Sequence, residues 1–313
     1  MTTPRVRAPA EDLDDLLDRI PVLAGRPRSV VELTGGLTNQ NLRVTTSGPS
    51  GGDYVVRRFR GNGGLLGIDR DAEHANTVAA AQAGVGAPVI DYLPDLGVLV
   101  IGYLPGRTYD NASFAEEGVL ERVADALRRL HRGPRFTGDF DMVERRARFL
   151  RTMREHGWPL FAGYDRFDAA FSRAAAALAV RAEPTVPCNN DLLAGNFVDD
   201  GERLWLIDYE YSGNNDAFFE LGNTATECDL DDDQVEALTT AYVGRHRRSK
   251  VARVRLQALV SAYGWALWGA IQASSSSLDF DFDEWGRERF EKAARGFTSA
   301  GFDTLLEEVT GDD

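Results

Sequence analysis

Three side chains in one short stretch of the sequence carry oxygen atoms at a spacing that suits phosphoryl transfer. Asp191 is followed five residues later by Asn196, and an apolar run, Leu204–Ile207, then ends in Asp208. A carboxylate beside an acceptor hydroxyl can take or steer its proton, and amide and carboxylate oxygens are ligands that suit Mg²⁺. The stretch therefore predicts Asp191 as the catalytic residue and Asn196 and Asp208 as metal ligands.

These residues also have a simpler interpretation, which the stretch alone leaves open. An Asx-rich turn followed by a buried strand with a capping Asp would contain the same residues without any catalytic role. The remainder of the sequence has to decide between a phosphoryl-transfer site and such a turn.

A glycine pair near the N-terminus could support a nucleotide. Gly35 and Gly36 stand in a turn between two strand-like runs, and they precede Thr38 and Asn39. Glycine lets backbone N–H groups approach a phosphate closely, so we expect these four residues at the phosphates; a plain hairpin turn is the alternative. No Gly-Lys-Ser or Gly-Lys-Thr follows, which argues against a P-loop nucleotide-binding protein.

Arg57 is the cation that we expect to contact the α- and β-phosphates. It lies near the end of the strand-like run Tyr54–Phe59, and Glu73 falls in the first half of the next predicted helix. A strand-end cation paired with a helix carboxylate is the arrangement of protein-kinase-type phosphotransferases, here with Arg in place of Lys. A solvated arginine and glutamate are the alternative, and Arg58 competes for the role from the opposite face of the strand.

Length and composition narrow the class of protein. The chain has 313 residues and a net charge of −14, which argues against nucleic acid and anionic membranes as partners and favours a small cationic substrate. No apolar run is long enough to span a bilayer and no secretory signal is visible, so we expect no membrane insertion. Cys188 and Cys228 are the only cysteines, and without zinc-type spacing they favour a cytoplasmic location.

Hydrophobic periodicity predicts a sheet-rich N-terminal part and a helical C-terminal part. The predicted strands are Ser29–Leu33, Leu42–Thr45, Tyr54–Phe59, Val89–Leu93 and Val98–Ile101. The predicted helices are Glu11–Ile20, Ile68–Ala83, Glu116–His131, Asp141–Glu155, Asp165–Ala182, Ala217–Glu227, Val235–Val243, Lys250–Ala273, Glu288–Phe297 and Thr304–Val309. His131 ends one of these helices, where we expect it to act as a charge at the helix C-terminus.

The stretch Gly102–Gly106 separates the two parts. A mixed sheet-and-helix segment ends there and helices dominate afterwards, so we predict one domain at residues 1–102 and a second at residues 103–313. An adenine would stack beside such a linker and hydrogen-bond to its backbone, and Ile101 and Tyr103 are the candidates for this contact. The predicted fold class is α+β, with a small sheet-rich lobe and a larger helical lobe.

An aromatic pair in a C-terminal predicted helix could recognise a cation. Trp265 and Trp268 are three residues apart and therefore share one face of the helix. A quaternary ammonium group donates no N–H hydrogen bond, so aromatic faces and carboxylates are the groups that recognise it. Glu210, Tyr211 and Glu227 could complete such a box; a helix face packed in the core is the alternative.

Taken together, these motifs resemble the choline/ethanolamine kinase family, including its bacterial members, within the aminoglycoside-phosphotransferase-like and protein-kinase-like superfamily. The resemblance is carried by the glycine turn at 35–41, the strand with Arg57, the stretches 188–196 and 207–211, and the segment 265–280. It covers roughly residues 30–295. The Trp-x-x-Trp segment is its most particular motif, because the phosphotransfer core is common to the broader group.

The resemblance implies a bilobal kinase-like fold that uses ATP and Mg²⁺ to phosphorylate the hydroxyl of choline, ethanolamine or a related amino alcohol. It matches Asp191 to the catalytic Asp, and Asn196 and Asp208 to the metal ligands. Arg57 matches the arginine that this family uses at the phosphates. The matches to the family's substrate pocket are Trp265, Trp268 and Glu227.

Two departures from the family pattern keep other functions open. Asn189 stands where the family usually has His, and after Glu227 no further aromatic residue appears until Tyr242. A kinase for another cationic alcohol, an aminoglycoside or thiamine, is one alternative, although an aminoglycoside pocket should be lined mainly by carboxylates. A pseudokinase that binds a ligand without turnover is the other, and retention of all three oxygen-bearing side chains argues against it.

Overall fold

A computed structural model of the chain describes residues 13–33, 36–49, 51–60 and 63–312. The strands are β1 (Arg28–Leu33), β2 (Asn39–Thr46), β3 (Asp53–Phe59), β4 (Val89–Leu93), β5 (Val98–Gly102), β6 (Arg107–Thr108), β7 (Thr185–Cys188), β8 (Phe197–Asp199), β9 (Leu204–Leu206) and β10 (Gly213–Asp216). The helices are α1 (Leu13–Asp18), α2 (Gly63–Leu66), α3 (Arg70–Gln82), α4 (Val119–His131), α5 (Met142–His156), α6 (Asp168–Val180), α7 (Ala217–Glu227), α8 (Asp232–Val243), α9 (Arg248–Ser275), α10 (Phe282–Phe297) and α11 (Phe302–Thr310). The prediction of an α+β fold is confirmed.

The first of two compact units contains the described residues up to Arg60 together with Val89–Tyr103. Its sheet has the order β1-β2-β3-β5-β4, and each neighbouring pair is antiparallel. Helix α1 covers one face, because its leucines pack with alternate apolar residues of the strands. This core consists of Leu16, Leu17, Ile20, Leu23, Leu42, Val44, Val56, Val98 and Val100.

The turn between β1 and β2 is tight where it is described. A Cβ atom at Gly36 would lie 2.4 Å from the carbonyl oxygen of Asn39, so glycine is required there unless the backbone moves. Thr38 and Asn39 are buried, and Asn39 opens β2 opposite Phe59. Gly35, the other predicted glycine of this turn, lies outside the described residues.

The second compact unit contains the described residues of Gly61–Pro88 and Leu104–Asp313. Helix α3 therefore belongs to this unit, whereas our predicted boundary placed it with the sheet; that boundary, at residues 102/103, stays a prediction. Helix α9 is the central element and packs against α5, α7, α10 and α11. No helix in the described part of the chain is both long and apolar enough to cross a membrane.

Several helices begin directly after an aspartate that caps their first turn. Asp141 accepts hydrogen bonds from the first turn of α5, as predicted for a helix beginning at this residue. Helix α10 begins at Phe282, six residues before the predicted start, because the carboxylate of Asp281 accepts the N–H of Glu284 at 2.9 Å. A capping box between Asp231 and Gln234 likewise extends α8 toward its N-terminus.

His131 is buried and neutral, so the expectation of a charge at the end of α4 is wrong. Its side chain is 7% exposed, and its Nδ1 lies 2.8 Å from the hydroxyl of Tyr242. Burial lowers the pKa of His131 to about 3, because a charged imidazolium would lose its hydration. The signal that sequence reasoning missed is the apolar face of α4, which continues through this residue.

We expect His131 to make the free energy of unfolding depend on pH in the acidic range. The pKa of His131 is lowered from 6.5 in the folded state. Its contribution to the free energy of unfolding is therefore fully present above pH 6.5 and is lost as the pH falls below 6.5. The loss should be about 2 kcal/mol between pH 6.5 and pH 5. Urea unfolding at a series of pH values should show a weaker pH dependence for His131→Phe. His156→Phe, at an exposed position, should keep the full dependence, and an equal slope in His131→Phe would contradict the assignment.

Candidate active site

A β-hairpin places the two predicted metal ligands side by side. Strands β8 and β9 are antiparallel, with Phe197 opposite Leu206. Just beyond this pair the N–H of Ile207 donates to the carbonyl oxygen of Asn196 at 3.0 Å. Asn196 and Asp208 therefore leave the open end of the same hairpin, although they are separated in sequence.

A hydrogen bond from Asn196 connects Asp191 to this end of the hairpin. The side-chain amide of Asn196 donates to the carbonyl oxygen of Asp191 at 2.8 Å, which leaves Oδ1 as its atom for a cation. Asp208 has a φ of 65°, a left-handed conformation that Asp and Asn tolerate better than other residues with a Cβ atom. The donors fit Mg²⁺, since a hard cation binds carboxylate and amide oxygens.

A buried carboxylate fixes the start of the catalytic loop. Oε1 of Glu220 accepts the backbone N–H of Asn189 at 3.1 Å, and Oε2 accepts the N–H of Asn190 at 3.0 Å. Glu220 is fully buried, and this burial raises its pKa to about 7. It lies on α7, so the helix holds two consecutive peptide groups just before Asp191. Sequence reasoning named Glu220 only as part of a predicted helix.

Helix α7 also holds the catalytic loop through Asn223, about one turn after Glu220. Oδ1 of Asn223 accepts the N–H of Leu192 at 2.7 Å, while its Nδ2 donates to Oγ of Ser261 on α9 at 3.1 Å. A Cβ atom at Gly222 would lie 2.6 Å from the backbone nitrogen of Ala258. The two helices are therefore in backbone contact, and α9 carries the tryptophans of the candidate substrate site.

Asn189 forms scaffold hydrogen bonds at the position where the resemblance predicts a histidine. Its Nδ2 donates to the carbonyl oxygens of Ile207 at 3.1 Å and Asp208 at 2.8 Å, and its Oδ1 accepts the N–H of Asp191 at 3.1 Å. The amide thus connects the backbone of the catalytic loop to that of the metal-ligand turn. The main motive for a pseudokinase, a loop loosened at Asn189, is weakened by these contacts.

Negative charge is concentrated around Asp191. Burial raises the pKa of Asp191 well above its usual range, and the charges of Glu227, Glu210 and Asp208 raise it further, whereas Arg289 lowers it. Such a shift is typical of a carboxylate that accepts a proton in a reaction. The structure therefore brings the predicted acids into one electrostatic group.

Two of these acids already have arginine partners. Arg70 lies 2.6 Å from Glu73 and 3.4 Å from Glu210. Arg289 forms a two-pronged ion pair with Glu227. Both arginines were missed by sequence reasoning, because the partners Glu227 and Arg289 are separated by 62 residues. The predicted pairing of Glu73 with Arg57 stays a prediction.

The aromatic residues form a packed group around Tyr211. The indole N–H of Trp268 donates to the Tyr211 hydroxyl at 2.7 Å, and the ring of Trp265 meets that of Tyr211 edge-on at 4.8 Å. Trp265 and Trp268 are 2% and 5% exposed, so both belong to the core as well as to the candidate site. The ring of Trp285 lies with its centre 4.9 Å from that of Trp268. Trp285 was not predicted as a site residue, and its only signal in the sequence is that it is a tryptophan close after the Trp265–Trp268 segment.

Of the residues predicted for the nucleotide that the structure describes, all except Glu73 lie in the first compact unit. Arg57 is buried on β3 at a position that faces Leu99 of β5. Ile101 is also buried, and the Tyr103 ring is covered by the guanidinium of Arg43 at 3.8 Å. The roles of these residues at a nucleotide stay predictions.

Among the described residues, one group of His, Cys and acidic side chains is close enough to hold a metal ion. It consists of His131, Cys188 and Glu220, whose ligand atoms lie within 4.8 Å of one another. Both oxygens of Glu220 already accept backbone N–H groups, and burial raises the pKa of Cys188 well above its usual range. Because metal ligation needs a thiolate, we interpret this group as a hydrogen-bonded core.

Comparisons with known proteins show which proteins this chain is similar to. A family model described as the phosphotransferase enzyme family matches residues 29–251. A solved choline/ethanolamine kinase family protein from Mesorhizobium loti is similar, with a TM-score of 0.82 and 31% identity over 94% of this chain and 96% of that chain.

Two further proteins extend the similarity. A probable ethanolamine kinase of Arabidopsis thaliana is 24% identical over an alignment of 288 positions, and the alignment covers 81% of this chain and 75% of that protein. A structure of LicA in complex with AMP has a TM-score of 0.73 at 22% identity and covers 93% of this chain and 98% of that chain. At this identity, the similarity to LicA shows that the two chains share a fold.

We expect Glu220→Gln to loosen the catalytic loop. A glutamine keeps one acceptor oxygen but turns an amide N–H₂ group toward one of the two backbone N–H donors, which then loses its partner. The free energy of unfolding should fall by about 1–3 kcal/mol, and hydrogen exchange at Asn189 and Asn190 should accelerate. Glu236→Gln, at a half-exposed side chain, is the control. Unchanged exchange in Glu220→Gln would show that another contact holds the loop.

Proposed function

The chain belongs to the choline/ethanolamine kinase family, within the phosphotransferase enzyme family, and from this membership we propose that it phosphorylates the hydroxyl of choline or a related amino alcohol with ATP. The observation that carries the proposal is the hairpin that holds Asp191, Asn196 and Asp208 together. In the transfer, the alcohol oxygen forms a bond to the γ-phosphorus and gives its proton to Asp191. The bond from the γ-phosphorus to ADP breaks, and ADP leaves with the electron pair.

We assign Asp191 to the acceptor hydroxyl. Burial and the charges of neighbouring carboxylates raise the pKa of Asp191, so the carboxylate accepts a proton more readily than a solvated Asp, which is the property that a general base needs. The backbone of the loop is held at Asn189, Asn190 and Leu192 by α7. Because these bonds form before any substrate arrives, the carboxylate does not need to be ordered during the reaction.

Asn196 and Asp208 are the residues that would hold Mg²⁺. A bound Mg²⁺ would neutralise charge on the β- and γ-phosphates and orient the transferred group. The contribution of the chain is the hairpin geometry, in which the Ile207 N–H to Asn196 oxygen bond keeps the two ligands adjacent.

For the nucleotide we propose contacts from the turn, the third strand and the linker. These residues are Gly35, Gly36, Thr38, Asn39, Arg57, Glu73, Ile101 and Tyr103. Support comes from the tight turn at Gly36 and the position of Arg57 on β3, and LicA, which shares the fold, is described in complex with AMP. ATP is the donor that the family membership favours, and the cytoplasm, where ATP is abundant, remains the predicted location.

For the amino alcohol we propose a site formed by Glu210, Tyr211, Glu227, Trp265 and Trp268 beside Asp191. Its support is the hydrogen bond between Trp268 and Tyr211 and the electrostatic coupling of Tyr211 to Asp191 and Glu210. Aromatic faces attract a desolvated ammonium group by about 1–2 kcal/mol each.

We expect Asp191→Asn to lose about a hundredfold to ten-thousandfold in kcat, because an amide cannot accept the hydroxyl proton. ADP release, coupled to an absorbance readout, measures the rate. The thermal unfolding midpoint should stay close to that of the parent protein, since the Asn189 and Asn196 bonds involve only the Asp191 backbone. Asp139→Asn, at an exposed position, is the control. A kcat within twofold of the parent would remove Asp191 from its assigned role.

Trp268→Phe should raise KM for the amino alcohol about tenfold and leave KM for ATP nearly unchanged. The phenylalanine keeps the aromatic packing but loses the hydrogen bond to Tyr211, so the position of the Tyr211 ring becomes less defined. Trp158→Phe, at a partly exposed site that stacks on His156, is the control. Equal increases in both KM values would indicate general destabilisation instead.

A further inference from the structure

A stripe of polar side chains interrupts the apolar surface of helix α9. Arg253, Gln257 and Ser261 follow one another at intervals of four residues and therefore share one face of the helix. All three are buried, with exposed fractions of 4%, 7% and 0%. Because buried polar groups are costly unless they form hydrogen bonds, the partners of this polar stripe indicate what it does.

The polar stripe connects α9 to both halves of α7. Nε of Arg253 donates to Oδ2 of Asp216 at 2.7 Å, and Nε2 of Gln257 donates to the same oxygen at 3.0 Å. Nη2 of Arg253 also lies 2.5 Å from this oxygen. About two turns further along, Oγ of Ser261 accepts the side-chain amide of Asn223 at 3.1 Å. These contacts fix how α7 and α9 are placed along each other.

Asp216 is connected to the catalytic loop by two routes. Its Oδ1 accepts the N–H of Phe218 at 2.9 Å and so caps α7, the helix that carries Glu220. Asp216 is also the last residue of β10, which is antiparallel to β7, and β7 leads directly into the catalytic loop. A displacement of Asp216 would therefore reach the loop through the helix and through the strand.

Arg253 connects a third helix to the same point. Its Nη1 donates to the carbonyl oxygens of Leu178 at 3.1 Å and Arg181 at 3.0 Å, at the C-terminal end of α6. Carbonyl groups of a last helical turn lack partners within their helix, so the guanidinium satisfies α6 and Asp216 together. A lysine has a single side-chain nitrogen on a flexible stem and cannot reproduce this set of contacts.

We infer that Arg253 is a positioning residue for the phosphoryl transfer: through Asp216 it sets the placement of α7 against α9, and with it the position of the Asp191 loop relative to the aromatic residues of α9. The inference rests on the proposed function. The loop is held by α7 at Glu220, and Trp265 follows the polar stripe four residues after Ser261. The polar stripe thus links the two groups that must meet during the reaction.

The assigned role is geometric, and this separates it from a purely stabilising one. A buried ion pair is weak evidence for stability, because neutral residues of similar volume often replace both partners without loss. Small displacements of reacting groups, by contrast, lower turnover strongly. Removal of the pair should therefore affect kcat far more than the free energy of unfolding.

The first experiment removes the pair without leaving a buried charge. In the double variant Asp216→Asn with Arg253→Met, the asparagine still caps α7 and the methionine fills the space of the arginine stem. We expect kcat for ADP release with choline or ethanolamine to fall about tenfold to a hundredfold. KM for ATP should stay within twofold and the thermal unfolding midpoint close to that of the parent. A kcat within twofold of the parent would overturn the inference.

Arg146→Met combined with Asp168→Asn is the matched control. Arg146 is also a buried arginine, 9% exposed, that is paired with an aspartate, and its guanidinium lies 4.7 Å from the centre of the Tyr263 ring on α9. Its partner belongs to α6 rather than α7. The kcat of this control should stay within twofold of the parent. A loss equal to that of the double variant would show a general sensitivity of α9 and overturn the inference.

Arg253→Lys is a second variant that keeps the buried charges balanced. Its ammonium can pair with Asp216 but cannot also bind both carbonyl oxygens at the end of α6. Its kcat should therefore lie above that of the double variant and at or below that of the parent. A kcat equal to or below that of the double variant would show that the pair with Asp216 does not position the loop, and would overturn the inference.

Hydrogen exchange tests the same step without turnover. The three backbone N–H groups that α7 holds should exchange faster in the double variant than in the parent and the control; they belong to Asn189, Asn190 and Leu192. Unchanged exchange would show that the loop is held without Arg253 and overturn the inference. Because no substrate is needed, this result stands even where the parent releases no ADP with choline or ethanolamine, an outcome that would overturn the proposed function instead.

A mutant cycle asks whether Arg253 acts through Glu220. In a Glu220→Gln background, the Asp216→Asn and Arg253→Met changes should lower kcat by a factor about threefold or more smaller than in the parent, because the contact through which they act is already weakened. The same factor in both backgrounds would show independent action and overturn the inference.

Discussion

The carboxylate of Glu220 accepts hydrogen bonds from two consecutive peptide N–H groups, and the geometry of the candidate site depends on it. A loop with several Asx residues has many alternative local hydrogen bonds, so its sequence alone does not define one conformation. The bonds to α7 select the conformation in which Asp191 lies next to Asn196. Since α7 also contacts α9 at Gly222, the loop and the aromatic helix have a common support.

Local patterns of hydrophobic residues in the sequence predict much of the architecture. The alternation in β2 and β3 and the apolar face of α4 define elements whose bounds agree with the structure within a few residues. The motif Asp191 to Asn196 followed by Asp208 identified the hairpin because the residues come from one continuous segment. Short-range spacing carries this information. The start of α10, by contrast, is set by a single capping acid, Asp281, which hydrophobic periodicity does not detect.

The contacts that sequence could not supply are those between distant segments. Nothing in the neighbourhood of Glu227 indicates Arg289, because the two residues lie on different helices, α7 and α10, and meet only through tertiary packing. The error at His131 has a related cause: a helix C-terminus favours a cation, but the burial of the last turn outweighs this preference. Long-range packing also gave Trp265 and Trp268 two roles, in the core and beside Tyr211, which the sequence presented as alternatives.

The left-handed backbone at Asp208 limits which residues can occupy that position at all. A glutamate would offer Mg²⁺ the same chemical group, yet its longer side chain lacks the tolerance of Asp and Asn for this region of φ and ψ. Glycine would relax the backbone but provide no ligand. Conformation and coordination together therefore restrict this position almost entirely to Asp and Asn, and substitutions in related sequences should be far fewer here than metal chemistry alone would require.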